Sequence, residues 1–160
     1  MKKNFCLLFC GAMFLILLSG CGSSSNSPNN TAWDPTLHET VNNLDGVTMS
    51  VKEGTVSSTG LTVILNNNSD KQCIYGEHFL LEKKIEGRWY QVPDVLDGKY
   101  GFDDIGYDLA SSDVKEWTVD WGWIYGKLDT GDYRILKDIF DFRKAGGSEQ
   151  YYLTAEFRID

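Results

Sequence analysis

Leu128-Asp129-Thr130-Gly131-Asp132-Tyr133, running on into Arg134-Ile135-Leu136-Lys137-Asp138-Ile139-Phe140, is the stretch whose reading decides the fold. Its first residues carry turn chemistry: Asp and Thr bond local backbone, and Gly131 lets the chain reverse tightly. Tyr133 then enters an apolar run near the end of the chain. A tyrosine placed there turns its hydroxyl back onto upstream backbone and pins one corner of an antiparallel two-sheet sandwich. Tyr133 and Gly131 are therefore read as structural, with Ile135 and, one strand later, Leu153 and Phe157 as core.

Working back along the chain, short alternating runs recur between turn signals. Val47–Val51 alternates, and Leu61–Leu65 ends in the turn-rich Asn66-Asn67-Asn68-Ser69-Asp70. His78–Ile85 and Arg88–Val92 flank Glu86-Gly87, a two-residue hairpin turn in which Gly supplies positive φ. Trp89, just after that turn, is expected in the core. Val114–Trp121, Asp132–Phe140 and Tyr151–Ile159 complete about seven strands, the spacing of an all-β sandwich. Residues 94–104 read as a lengthened loop.

The N-terminus has a different character. Lys2 and Lys3 precede an apolar run from Phe5 to Leu18, too short to cross a bilayer comfortably and followed by no stop-transfer charge. Leu18-Ser19-Gly20-Cys21 closes it and resembles the lipobox of bacterial lipoproteins at all four positions. The resemblance implies cleavage before Cys21 and diacylglycerol on its thiol. Two or more acyl chains anchor stably where one does not, so the membrane is an expected partner. The location implied is extracytoplasmic and lipid-anchored at the bacterial cell surface. Residues 22–32, Gly-Ser-Ser-Ser-Asn-Ser-Pro-Asn-Asn-Thr-Ala, lack the hydrophobicity to fold; such a linker reaches roughly 15–20 Å. The expected organisation is a signal peptide over 1–20, the lipidated Cys21 and tether over 21–45, and the sandwich over 46–160. Asp34-Pro35 has the form of a capped helical start.

The chain of 160 residues carries a formal charge of −8. Removing residues 1–20 takes away two lysines and no acid, which leaves −10. So acidic a protein is a poor partner for nucleic acid or anionic lipid. Cys6 and Cys10 leave with the signal and Cys21 is acylated, so Cys73 is the one thiol remaining. That excludes an intramolecular disulfide and a cysteine-based metal site. Its apolar-alternating surroundings predict a buried, inert thiol, with an intermolecular disulfide as the alternative.

Three blocks carry a wider resemblance: Leu61–Asp70, Tyr75–Pro93 and Tyr125–Asp138. Their Asn-rich turn, Tyr75-Gly76-Glu77, Leu81-Glu82-Lys83, Gly87-Arg88-Trp89 and Tyr133-Arg134 resemble a bacterial immunoglobulin-like (Ig-like) domain. That domain occurs in secreted and lipid-anchored proteins of Gram-positive bacteria. The likeness runs from about Gly46 to Ile159 and implies an Ig-like antiparallel β-sandwich outside the cell. It implies no activity.

The residues themselves offer little for catalysis. The chain has two histidines, His38 and His78, no GxSxG elbow, and no Gly-rich phosphate loop. An enzyme would stand on His78 with Glu77. Glu77 and Glu82 fall on opposite faces of a regular strand and cannot cooperate there. Asp94, Asp97, Asp103, Asp104 and Asp108 supply calcium-type oxygens without EF-hand spacing and with Lys99 among them, so a solvated acidic loop is expected rather than a metal site. No cofactor is implied.

The run Glu116-Trp117-Thr118-Val119-Asp120-Trp121-Gly122-Trp123-Ile124-Tyr125 is the richest candidate surface. In a regular strand Trp117, Val119, Trp121 and Trp123 share one face. On a core face they pack. On an exposed face, with Tyr125, they form a platform that stacks on sugars or anchors a protein. The expectation is a non-catalytic binding or accessory module that meets an envelope protein; the alternative is a cell-wall glycan module using the Trp117, Trp121 and Trp123 face.

Overall fold

The computed structural model describes residues 33–143 and 147–160. The signal sequence, Cys21 and the linker of residues 22–32 lie outside the described residues. No helix among the described residues is long and apolar enough to cross a membrane.

Among the described residues, nine strands and one helical turn follow in order: β1 (Val47–Val51), β2 (Gly60–Asn67), β3 (Cys73–Tyr75), β4 (Phe79–Ile85), β5 (Arg88–Gln91), β6 (Tyr107–Leu109), β7 (Val114–Asp120), α1 (Gly122–Tyr125), β8 (Gly131–Arg143) and β9 (Gly147–Ile159). One sheet runs β1-β2-β7, the other β5-β4-β8-β3-β6 with β9 also on β8, and every pairing is antiparallel. β3 and β6 were not legible because three residues are too few to show alternation.

The alternating positions meet between the sheets. Val63, Leu65, Ile135, Ile139 and Leu153 are fully buried, with Leu61, Leu81 and Phe79 beside them. Phe157 lies with its ring stacked against Tyr133, centroids 5.7 Å apart. The Tyr133 hydroxyl donates to the Asp129 carbonyl at 2.9 Å, four residues upstream. The β4–β5 hairpin turns on Glu86 and Gly87 at φ 50° and 81°, the left-handed pair that a twisted two-residue hairpin requires. Cys73 is a free thiol with no exposed surface, and burial raises its pKa.

β8 organises the second sheet. It pairs with β9 along its whole length. Its other edge pairs first with β4, from Tyr133 to Lys137, and then with β3 at Phe140 and Asp141. Gly76-Glu77-His78 bridges the two partners where the ladder is interrupted. Lys137 fills that interruption: its ammonium donates to the His78 carbonyl and to Asp138 Oδ1, both at 2.6 Å, and lies 5.2 Å from the centre of the Trp117 ring. A carbonyl left without a strand partner is thereby satisfied.

Three expectations are corrected. Residues 33–45, assigned to the tether, lie across the second sheet. Thr36 N–H donates to the Trp89 carbonyl at 3.1 Å, Gln91 N–H to the Asp34 carbonyl at 2.8 Å, and Asn42 N–H to the Tyr152 carbonyl at 2.8 Å. Asp34-Pro35 starts no helix; Pro35 forms an isolated antiparallel bridge with Tyr90. The open edge of β5 gains more by backbone pairing than one helical turn would, and proline is tolerated at an edge. Trp89 is half-buried rather than core. It faces Lys84 across the hairpin, and the Arg134 guanidinium carbon sits 4.7 Å from its ring centre.

Candidate functional site

The aromatic run does not stay a strand. β7 ends at Asp120, whose carboxylate accepts from Gly122 N–H at 2.8 Å. The chain then makes a single helical turn, closed by Gly126 at φ 69° donating to the Gly122 carbonyl. A helix turns its side chains about 100° per residue where a strand alternates, so the shared tryptophan face divides. Trp117 packs inside, its ring 5.9 Å from Phe79 and 6.5 Å from Tyr75. Trp121 is wholly buried and stacked on Phe157, with Nε1 donating to the Ser58 carbonyl at 3.1 Å. Tyr125 is buried too; burial and the neighbouring Tyr100 hydroxyl hold its phenol well above the usual range. Trp123 alone of the four faces outward, 47% exposed.

Trp123 is not isolated. Its ring meets Tyr100 and Phe102 edge-to-face, each at 5.9 Å, and Phe102 also meets Tyr100, His78 and Phe79. Tyr100 and Phe102 belong to the long connection between β5 and β6, so that loop is held down by rings rather than by a ladder. Asp94 at its start accepts from the N–H groups of Leu96 and Gly98, both at 2.9 Å.

Two clefts flank Phe102. One, of about 430 Å³, is lined by Trp123, Tyr107, Glu77 and Asp103 among others. The second, of about 410 Å³, shares Glu77, Phe102, Asp103 and Ile105 and extends past His78 and Asp104 to Asp138. The four shared residues make them one groove divided by a ring. Tyr107 donates to Glu77 Oε1, a bond that raises the tyrosine pKa. His78 Nδ1 lies 3.6 Å from Asp138 Oδ1. Burial works against the Asp138 carboxylate, but His78 and Lys137 together hold its pKa below the ordinary aspartate value. Burial depresses the Lys137 pKa against that attraction.

His78 and Glu77 therefore share a groove but not a bond: the carboxylate beside His78 is Asp138. Neither cleft is lined by a serine, threonine or cysteine, so the groove can stack rings, accept hydrogen bonds and attract positive charge. Asp94 is engaged by its own turn and Asp108 accepts from Gln72. Among the described residues no three His, Cys, Asp or Glu side chains come together as metal ligands. The sequence singled out Glu77, Asp103 and Trp123 separately, but they are far apart along the chain, so their meeting in one groove was missed.

Two antiparallel sheets closing on a common core, with a tyrosine corner at the entry to β8, define an immunoglobulin-like sandwich. Residues 43–158 match the family model described as bacterial Ig-like domain, and the chain belongs to that family. Among solved structures, the ASH/PapD-like domain 7 of human CEP192 is similar at 11% identity and a TM-score of 0.34, over 82% of this chain and 96% of that one. No curated protein matches the sequence.

Proposed function

We propose that this protein is a lipid-anchored binding module of the bacterial cell surface, whose non-catalytic Ig-like domain engages a protein partner in the envelope. The anchor rests on Leu18-Ser19-Gly20-Cys21 and the apolar run before it. The observation that carries the binding role is Trp123. A large ring left 47% exposed at the mouth of an aromatic-walled groove, while Trp117 and Trp121 pack inside, has the character of an interface anchor. An Ig-like domain whose groove is lined by no serine, threonine or cysteine suits recognition rather than turnover.

A photoreactive residue at position 123, introduced into the full chain in intact cells, should crosslink to a discrete envelope protein. The same residue at Glu53, in an exposed turn, should not. Labelled palmitate should enter the wild type and not Cys21→Ala.

A glycan reading keeps one specific support, since an exposed indole beside carboxylates also suits a sugar face and its hydroxyls. Co-sedimentation with purified cell-wall sacculi that is lost in Trp123→Ala would favour it over the protein partner.

A further inference from the structure

The groove around Phe102 has a marked charge character. Glu77, Asp103 and Asp104 line it, and no lysine or arginine does. Lys137, buried beside the groove, is paired with Asp138 at 2.6 Å and attracts Glu77 only through space; among the described residues no ion pair reaches Asp103 or Asp104. Glu77 bonds Tyr107 through one oxygen. Among the described residues no side-chain donor bonds Asp103 or Asp104. At the mouth stand Trp123, half exposed, and Phe102.

Carboxylates beside aromatic rings form a complementary setting for an organic cation. The rings attract positive charge through their quadrupoles and cover an aliphatic stem, while the carboxylates accept charge-assisted hydrogen bonds. A neutral sugar would use the ring and leave most of the negative charge unanswered. An acidic or anionic ligand would be repelled.

We propose that this groove binds a basic side chain, a lysine or arginine presented on an exposed segment of the partner protein. Its stem lies against Trp123 and Phe102, and its charge is received by Glu77 and Asp103. This rests on the protein-binding reading and names the chemistry of the partner. The acidity of the rest of the chain, −8 overall, steers the same kind of partner from a distance.

The test titrates the full chain, held in detergent, with an acetylated and amidated pentalysine peptide, followed by NMR of the Trp123 indole N–H. Pentaglutamate and a neutral chitooligosaccharide serve as comparison probes. Pentalysine should shift the Trp123 signal, bind more weakly as salt rises, and lose roughly tenfold in affinity in Glu77→Gln/Asp103→Asn. Asp103 is exposed, and Glu77→Gln keeps a side-chain oxygen to accept from the Tyr107 hydroxyl, so at most a small change in melting temperature is expected alongside. Trp123→Leu should weaken pentalysine binding severalfold.

Pentalysine binding that the Gln/Asn double variant leaves intact would overturn the proposal. So would binding of the oligosaccharide in preference to pentalysine, and so would no binding of either. If the position-123 crosslink to an envelope protein forms equally in wild type and in Glu77→Gln/Asp103→Asn, the binding module stands and the cation site falls. If no crosslink forms and pentalysine still binds, the site stands and the protein partner falls.

Discussion

The Arg134 guanidinium meets the Glu82 carboxylate at 2.6 Å through Nη2 and 2.7 Å through Nε, with both side chains almost wholly out of water. The same guanidinium donates to Thr36 Oγ1 at 3.1 Å and to the His38 carbonyl at 3.2 Å. One buried cation thus joins β4, β8 and the N-terminal segment. Oε1 of Glu82 is buried with no hydrogen-bond partner, so the pair depends on a single carboxylate oxygen.

Arg134→Ala should destabilise the domain by about 3–5 kcal/mol, because it leaves the Glu82 charge buried and unpaired. It should also release residues 33–45 locally. Chemical denaturation measures the first effect. Faster hydrogen exchange at the Thr36 and Asn42 amides, beyond that in an equally destabilised core variant, measures the second.

Asp138→Asn should cost about 3 kcal/mol by leaving Lys137 buried without its counter-charge. In the wild type the folded-state pKa of Asp138 is depressed, so its contribution is complete above the unfolded aspartate value near 4. That contribution is lost as pH falls through the lower folded value. The acid limb of a stability–pH curve should accordingly flatten in Asp138→Asn.

Trp121→Ala and Trp123→Ala should behave oppositely. The first removes a fully buried indole stacked on Phe157 and should cost about 3–5 kcal/mol. The second trims a half-exposed ring and should cost under about 1 kcal/mol. Paired urea melts decide this, and they also show that Trp121 is unsuitable as a binding probe.

Tyr133→Phe keeps the ring on Phe157 and removes the hydroxyl bond to the Asp129 carbonyl. A loss of about 1 kcal/mol is expected, read as a shift in the urea midpoint with an unchanged slope.

The sequence by itself determined the sandwich, its hairpin and its corner. Each is a local instruction: alternation along Val47–Val51, positive φ at Glu86-Gly87, and a turn glycine two residues before Tyr133. Period-two burial and turn chemistry act over a few residues, so they are legible in order along the chain. Only the tertiary structure decided where Trp89, Trp123 and residues 33–45 lie. Trp123 turned outward because β7 stopped at Asp120 and one helical turn changed the side-chain period. Trp89 was held on the outer face by Arg134, which stands forty-five positions further on. The groove exists because β8 changes partner from β4 to β3, which brings Glu77 beneath a loop carrying Phe102 and Asp103 and beside Trp123. Those relationships depend on contacts between distant segments, and pairing geometry rather than local propensity sets them.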